Sequence, residues 1–151
     1  MTNNKLEIIQ LEHGIGLDLP YYQTEGSCCM DLSAAIYKSI TLLPLQRCLI
    51  PTGLKFILEK DTCLQILPRP GLALKYGITV INSPGIIDSD YRGEVMVCLV
   101  NHGSESYVIE RGFRIAQAMF IKVEKFSLKI STSDKRQTGR NEGGFGSTGG
   151  F

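Results

Sequence analysis

The 151-residue sequence contains no tryptophan, only two histidines and no large excess of either charge. Its 16 basic and 15 acidic residues give a net charge of +1, whereas proteins that bind long nucleic acids usually present a basic face. No apolar run approaches the roughly 20 residues that cross a bilayer, and the N-terminal MTNNKLEIIQ contains no apolar signal core. These absences predict a cytoplasmic protein that binds neither a membrane nor a long nucleic acid.

The cysteines and histidines do not indicate a metal centre. The five cysteines are odd in number, form no CxxC pair, and have no zinc-ligand spacing with a histidine. Cys28 and Cys29 are adjacent, which is poor geometry for a mutual disulfide. We therefore expect small buried thiols in a reducing compartment. The sequence suggests no partner for His13 or His102, and both are predicted to lie on the surface.

The length and the apolar pattern predict one domain of short strands. Short runs rich in Val, Ile and Leu are separated by turn residues, as at 51–53 and 101–104, which is typical of an all-β sandwich or barrel. The one helix candidate is 72–76, with Pro70 at its entry and Gly77 at its exit. Residues 131–151 are polar and then glycine-rich, which taken alone indicates a flexible tail.

Two segments concentrate groups that could carry chemistry. Residues 85–95, GIIDSDYRGEV, look like a β-hairpin with two acids and an aromatic ring at one end. Such a segment is either a solvated turn or a site whose carboxylate activates water. Residues 68–73, PRPGLA, place an arginine before a glycine that opens a short helix, where free backbone N–H groups favour an anion. A plain strand-to-helix turn would have the same pattern.

Two further segments are ambiguous by themselves. Residues 114–117, RIAQ, place a basic and an amide side chain in a β segment, as many ordinary strands do. Residues 144–149, GFGSTG, match GxGxxG, but no strand precedes them and no helix can follow them, which excludes a dinucleotide-binding turn. This segment, with Arg140 just upstream, could instead fold over a phosphate chain and a base.

Together these motifs resemble those of the homotrimeric dUTPase family over nearly the whole chain. Five motifs occur in the order that the family has: MDLSA at 30–34, PRPGLA at 68–73, GIIDSDYRGEV at 85–95, RIAQ at 114–117 and RNEGGFGSTG at 140–149. The resemblance implies a jelly-roll-like β-barrel over 1–130 and a flexible glycine-rich arm over 131–151. It also implies a homotrimer whose sites combine motifs from different subunits, with the arm closing over a neighbouring subunit's site.

The resemblance implies an enzyme, a dUTP diphosphatase that hydrolyses dUTP to dUMP and pyrophosphate with bound Mg²⁺. That activity limits uracil in DNA and supplies dUMP for dTMP synthesis. Asp88 is the expected general base for the water that attacks the α-phosphorus. Asp31 is expected to hold the metal through water.

Substrate contacts are also implied by the resemblance. An 81–87 hairpin is expected to bind uracil through main-chain groups, with Asn82, Gly85 and Ile87 beside the base. Tyr91 is expected to pack beneath the deoxyribose and to exclude a 2′-hydroxyl sterically. The other expected contacts reach mainly the phosphates, with Phe145 stacked on uracil, and are made by Arg69, Pro70, Gly71, Gln117, Arg140, Phe145, Gly146, Ser147 and Thr148.

Pro70 departs from the family, which usually has a serine whose hydroxyl contacts the phosphate chain near the bond being broken. Proline has neither a hydroxyl nor a backbone N–H, and losing one such donor costs roughly 2.7–4 kcal/mol of transition-state stabilisation. An alternative is therefore a trimeric nucleotide-binding regulator that binds dUTP and signals to a partner, with weak or no hydrolysis. A dCTP deaminase shares the architecture, but Asp88–Tyr91 and the complete arm argue against it. A jelly roll without a ligand would leave the arm unexplained.

Overall fold

The structure is a computed structural model and describes residues 6–133 and 138. Over this part the chain forms short strands, one α-helix and a 3-10 turn at Glu12–Gly14. The strands are β1 (Glu7–Gln10), β2 (Met30–Ser33), β3 (Ile40–Leu42), β4 (Arg47–Pro51), β5 (Leu54–Ile57), β6 (Thr62–Leu67), β7 (Ile78–Val80), β8 (Gly85–Ile87), β9 (Met96–Asn101), β10 (Tyr107–Ile109) and β11 (Arg114–Lys122), and the helix is α1 (Pro70–Tyr76). The predicted all-β class with one short helix is confirmed.

The strands pair antiparallel in small sheets ordered β1–β5, β3–β10, β2–β11–β6–β8 and β4–β9–β7. Side chains of a strand alternate between its two faces, and the inward face of β4–β9–β7 carries the fully buried Ile50, Val97 and Leu99. The outward face carries Leu49 and Met96, which remain exposed. The core therefore lies between the sheets, and one sheet is apolar on both faces.

Residues at its two ends explain why α1 is short. Pro70 occupies the first helical turn, where its missing N–H leaves no bond unmade. Gly77 ends the helix with φ 69°, and its N–H donates to the carbonyls of Leu72 and Ala73. The buried Leu72 anchors the helix in the core. The predicted entry and exit residues are confirmed, but the helix begins at Pro70 rather than at Leu72.

Replacing Gly77 by alanine is expected to lower the free energy of unfolding by about 2–4 kcal/mol. The left-handed backbone disfavours any Cβ, and a Cβ there would also overlap the backbone of Gly103. Urea denaturation would measure the loss. Gly71→Ala is the matched control, because a Cβ at Gly71 meets nothing within 4 Å and alanine favours a helix. Equal losses for the two variants would contradict this account.

Two predictions about local structure are wrong. His13 is half-buried, and its Nε2 atom lies 2.7 Å from Oε1 of Glu94. The hairpins predicted at 81–87 and within 85–95 are not paired hairpins, because β8 pairs with β6 while β7 and β9 pair with each other. The turn after β7 contains Pro84, which cannot donate a ladder hydrogen bond, and it carries the chain from one sheet to another.

The cysteines are all free, in agreement with the sequence, but the prediction of buried thiols holds fully only for Cys63. Cys28 is exposed, and Cys29, Cys48 and Cys98 are partly exposed. Burial is the largest cause that raises the pKa of the Cys29 thiol, followed by the nearby Cys28 and Asp31. No helix in the described part of the chain is long and apolar enough to span a membrane.

Candidate active site

The β2–β11–β6 part of the largest sheet brings three of the sequence motifs together. Gln117 on β11 lies opposite Asp31 on β2 and, on its other side, opposite Leu67 at the end of β6. The chain leaves β6 directly into Arg69 and α1. The sheet register therefore gathers the 30–34, 68–73 and 114–117 motifs at one end of β6.

Asp31 joins two arginines at this end of the sheet. Arg69 donates from Nε to Oδ1 of Asp31 at 2.8 Å, and Arg114 donates from Nη1 to Oδ2 at 3.2 Å. Arg69 also donates from Nη1 to the main-chain carbonyl of Arg114 at 3.2 Å. The Asp31 side chain is only 10% exposed, so these charge-assisted bonds fix it and orient both guanidinium groups. The cluster carries a net positive charge and suits an anionic ligand.

Arg114 is a site residue to which the sequence reasoning gave no role of its own. Its motif was identified, but its contact with Asp31 depends on the register between β11 and β2. That register cannot be predicted from the spacing of residues in the sequence. The register also shifts between Arg114 and Ala116, which makes the position of Arg114 harder to predict.

A polar cavity of about 220 Å³ lies against this cluster, and its walls include Asp18, Gln23, Asp31, Ser33 and Arg114. A larger cavity, of about 500 Å³, is lined mainly by apolar side chains such as Ile8, Phe56 and Phe120. None of the predicted site residues lines the larger cavity. Ligand sites combine a concave surface with a few converging polar groups, so the smaller cavity is the better candidate.

The start of α1 is open to solvent beside the arginines. Pro70 and Gly71 are both exposed, and a Cβ at Gly71 would meet nothing within 4 Å. A ligand can therefore approach the backbone closely here. The predicted contacts at Arg69, Pro70 and Gly71 lie side by side, and Gln117 is on the neighbouring strand.

Asp88 and Tyr91 occupy one tight turn after β8. The N–H of Tyr91 donates to the carbonyl of Asp88 at 3.1 Å, and Arg92 donates to the carbonyl of Ser89 at 2.8 Å. The Tyr91 hydroxyl donates to the main-chain carbonyl of Glu94 at 2.9 Å, with the ring lying over Gly93, where a Cβ would overlap it. The ring is thus fixed in place, and Tyr91 is still 44% exposed.

The candidate uracil contacts lie immediately before this turn. Gly85 is buried opposite Ile66 on β6, and its Cβ position would be 3.3 Å from Nδ2 of Asn82. Asn82 itself is exposed, and Ile87 is half-buried. A larger residue at Gly85 would press on Asn82, so the glycine keeps this turn narrow.

Within one chain the pairing of β6 with β8 places Asp88 away from the Asp31 cluster. Ile87 pairs with Leu64, whereas Arg69 follows Leu67 at the far end of β6. Leu64 and Leu67 are three positions apart along the strand, which is roughly 10 Å. Asp88 therefore lies beside one end of β6, and the Asp31 cluster lies beside the other. The arm residues Arg140, Phe145, Gly146, Ser147 and Thr148 lie outside the described residues.

The chemistry of the cluster is compatible with a magnesium ion that arrives with a nucleotide. No group of three or more possible protein ligands occurs among the described residues. Mg²⁺ in phosphate sites usually uses only one or two carboxylates, completed by phosphates and water. Asp31 uses two of its roughly four lone-pair positions on the arginines, which leaves others to accept hydrogen bonds from metal-bound water.

Comparison with known proteins identifies the family. The model of the dUTPase family matches residues 16–149, nearly the whole chain. The chain belongs to the dUTPase family. A deoxyuridine 5′-triphosphate nucleotidohydrolase from Bartonella bacilliformis is 53% identical, over 92% of this chain and 86% of that protein. One from Rhizobium rhizogenes is 50% identical, over 98% of this chain and 96% of that protein. The family and the class of enzyme predicted from the motifs are therefore confirmed.

Solved dUTPase structures share the fold and confirm the predicted jelly-roll-like architecture. The Staphylococcus bacteriophage 80alpha dUTPase with the dUTP analogue dUpNHpp has a TM-score of 0.86 at 21% identity, covering 97% of this chain and 99% of that one. A mutant dUTPase from phage phi11 of S. aureus, which coordinates a structural Mg(II) ion, has a TM-score of 0.76 at 17% identity and covers 86% of this chain and 98% of that one.

Replacing Asp31 by asparagine is expected to weaken dUpNHpp binding about tenfold, even in the presence of EDTA. The two arginines would lose the anion that orients them, and hydrogen bonds to charged groups are worth about 1.5–3 kcal/mol each. Calorimetric titration measures the affinity with and without Mg²⁺. Asp18→Asn, on the wall of the same cavity, is the control. A loss seen only with Mg²⁺ would mean that Asp31 acts on the metal alone.

Proposed function

We propose that this chain hydrolyses dUTP to dUMP and pyrophosphate. The observation that carries the proposal is the paired arginines on Asp31 beside the open start of α1, a built site for a phosphate chain. A separate turn presents a carboxylate, Asp88, and a fixed aromatic ring, Tyr91. Relatives about 50% identical over nearly the whole chain are named deoxyuridine 5′-triphosphate nucleotidohydrolase.

In this mechanism Asp88 accepts a proton from the water that attacks the α-phosphorus, and pyrophosphate leaves on the opposite side. Arg69 and Gln117 bind the phosphates and stabilise the negative charge that develops on their oxygens. Mg²⁺, when bound with the nucleotide, would neutralise phosphate charge, and Asp31 would hold it through water. The chain thus contributes mainly orientation and electrostatics, together with one proton acceptor.

Selectivity for dUTP comes from two features beside Asp88. The narrow turn at 81–87, with Asn82, Gly85 and Ile87, binds uracil and leaves no room for the methyl group of thymine. The fixed Tyr91 ring packs beneath the deoxyribose and excludes a 2′-hydroxyl. In the arm at 131–151, Phe145 stacks on the base while Arg140, Gly146, Ser147 and Thr148 bind the phosphates.

The complete site requires more than one copy of the chain, and we propose a homotrimer in the cytoplasm. The separation of Asp88 from the Asp31 cluster supports this, because another copy can supply the missing half. Apolar surface supports it too: Leu49 and Met96 lie exposed on one face of β4–β9–β7, and the exposed Ile81 directly follows β7. Such faces are normally covered by another chain.

Hydrolysis in H₂¹⁸O tests the bond that is broken. Attack by water on the α-phosphorus places the label in dUMP and none in pyrophosphate, which mass spectrometry of both products would detect. Label in pyrophosphate would mean attack at the β-phosphorus. Release of orthophosphate from the γ-position would contradict the proposed reaction altogether.

A further inference from the structure

The loop at 11–17 docks against the segment that carries Tyr91, although no motif includes it. Its His13 Nε2 atom lies 2.7 Å from Oε1 of Glu94, and the N–H of Gly53 donates to the same Oε1 at 2.7 Å. Leu11 donates its N–H to the carbonyl of Gly53 at 2.8 Å. Glu94 is therefore held from two sides by residues that lie far from it in sequence.

The backbone of this loop is fixed independently of the His13 ring. Gln10 donates from Nε2 to the carbonyls of Gly14 and Leu17 at 2.8 and 3.2 Å. Arg111 donates to the carbonyls of His13 and Ile15 at 2.7 and 2.9 Å. These side-chain hydrogen bonds to loop carbonyls hold the backbone in one conformation. The position of the His13 imidazole relative to Glu94 is therefore set by the loop.

Glu94 connects that loop to the tyrosine. Its side chain is only 18% exposed. A carboxylate that is largely removed from water needs hydrogen-bond donors from the protein. Its main-chain carbonyl accepts the Tyr91 hydroxyl at 2.9 Å, and Val95, the next residue, donates to the carbonyl of Leu54 at 2.8 Å. The position of the Tyr91 ring thus depends on where the backbone of Glu94 is held.

We propose that His13 is a positioning residue for the selection of deoxyribose over ribose. It holds the Glu94 carboxylate, and Glu94 in turn fixes the Tyr91 ring; the inference rests on the proposed function. Steric exclusion of a hydroxyl requires a ring that cannot shift, because a displacement of about 1 Å is enough to change how a substrate is oriented. Without His13, Glu94 keeps one donor and its backbone is freer to move, so UTP is admitted more readily.

The test compares kcat/KM for dUTP and UTP in the full-length protein. His13→Leu removes the donor and is expected to reduce the dUTP-to-UTP preference roughly tenfold, the size expected for a lost hydrogen bond to a charged group. His13→Gln, whose amide can still donate to Glu94, is expected to keep the preference within about twofold of wild type. A His13→Leu variant with unchanged preference would overturn the proposal.

The Gln10→Leu variant distinguishes the proposed positioning role of His13 from a role in stabilising the loop. This variant loses two bonds of the same loop. It keeps the Arg111 bonds to the carbonyls of His13 and Ile15, which still hold His13 beside Glu94. It is expected to lower the melting temperature without changing the nucleotide preference; an equal change in preference would overturn the proposal. Should His13→Leu fail to fold, Glu94→Gln weakens the same contact and is expected to shift the preference in the same direction.

Failure of the proposed function can be distinguished from failure of the positioning role. If the wild-type protein hydrolyses neither nucleotide, the proposed function fails. The positioning role is then measured as the ratio of affinities for dUpNHpp and its ribonucleotide counterpart UpNHpp. A ratio that falls in His13→Leu but not in His13→Gln supports the role, and a ratio unchanged in both overturns it.

Discussion

Replacing Asp88 by asparagine lowers kcat for dUTP by about 10²–10⁴-fold in this account, the range that general bases contribute. Asparagine has nearly the same shape but cannot accept the proton of the attacking water. Among the described residues, the Asp88 carboxylate has no hydrogen-bond or ion-pair partner, so it is free to bind a water molecule. The affinity for dUpNHpp should change little, because the loss is confined to the transition state.

Asp90 provides the matched control for Asp88. It lies in the same turn and is also exposed, so Asp90→Asn removes the same charge from nearly the same place. Single-turnover kinetics should show near wild-type rates for Asp90→Asn. Similar losses in both variants would indicate that the turn acts through its general negative charge, and the role of Asp88 as the base would be wrong.

Replacing Pro70 by serine is expected to increase kcat, by up to roughly 10²–10³, the effect of one donor aimed at developing charge. Pro70 is exposed at the first turn of α1, next to Arg69. In the proposed mechanism a serine hydroxyl at this position reaches the phosphate chain. Proline is favourable at that position of a helix. In the proposed mechanism the chain combines a well-formed helix start with the lack of a catalytic donor, and Pro70→Ser should be slightly less stable.

Pro70→Ala separates the two groups that proline lacks. Alanine restores the backbone N–H without a hydroxyl, so a rate close to that of wild type would assign the gain in Pro70→Ser to the hydroxyl. Equal gains in both variants would assign it to the N–H. If wild type binds dUpNHpp but does not hydrolyse dUTP, while Pro70→Ser does, the natural protein is a nucleotide-binding regulator rather than an efficient enzyme.

Local features of the fold could be predicted from local sequence. Pro70 and Gly77 bracket α1 because proline suits a first helical turn and glycine suits a left-handed end. The short apolar runs at β4 and β9 predicted strands. In the structure these strands pair and bury Ile50 opposite Val97. The prediction of a hairpin at 81–87 is wrong because β7 pairs with β9 and β8 pairs with β6. The sequence of the segment itself does not encode these partner strands.

The candidate site was predictable within each motif but not between motifs. The Asp31–Arg114 contact joins residues that are 83 positions apart, and the His13–Glu94 contact joins residues 81 apart. Both depend on sheet register and on the docking of a loop. Asp88 lies beside one end of β6 and Arg69 follows the other end, a separation that neither motif shows by itself.

The most direct test of dUTP hydrolysis measures the products of the wild-type protein with dUTP, dCTP, dTTP and UTP in the presence of Mg²⁺. Pyrophosphate and free ammonia would be quantified together. We expect one pyrophosphate per dUMP from dUTP, little from the other three nucleotides, and no ammonia. Ammonia released from dCTP, or pyrophosphate released equally from all four nucleotides, would contradict it.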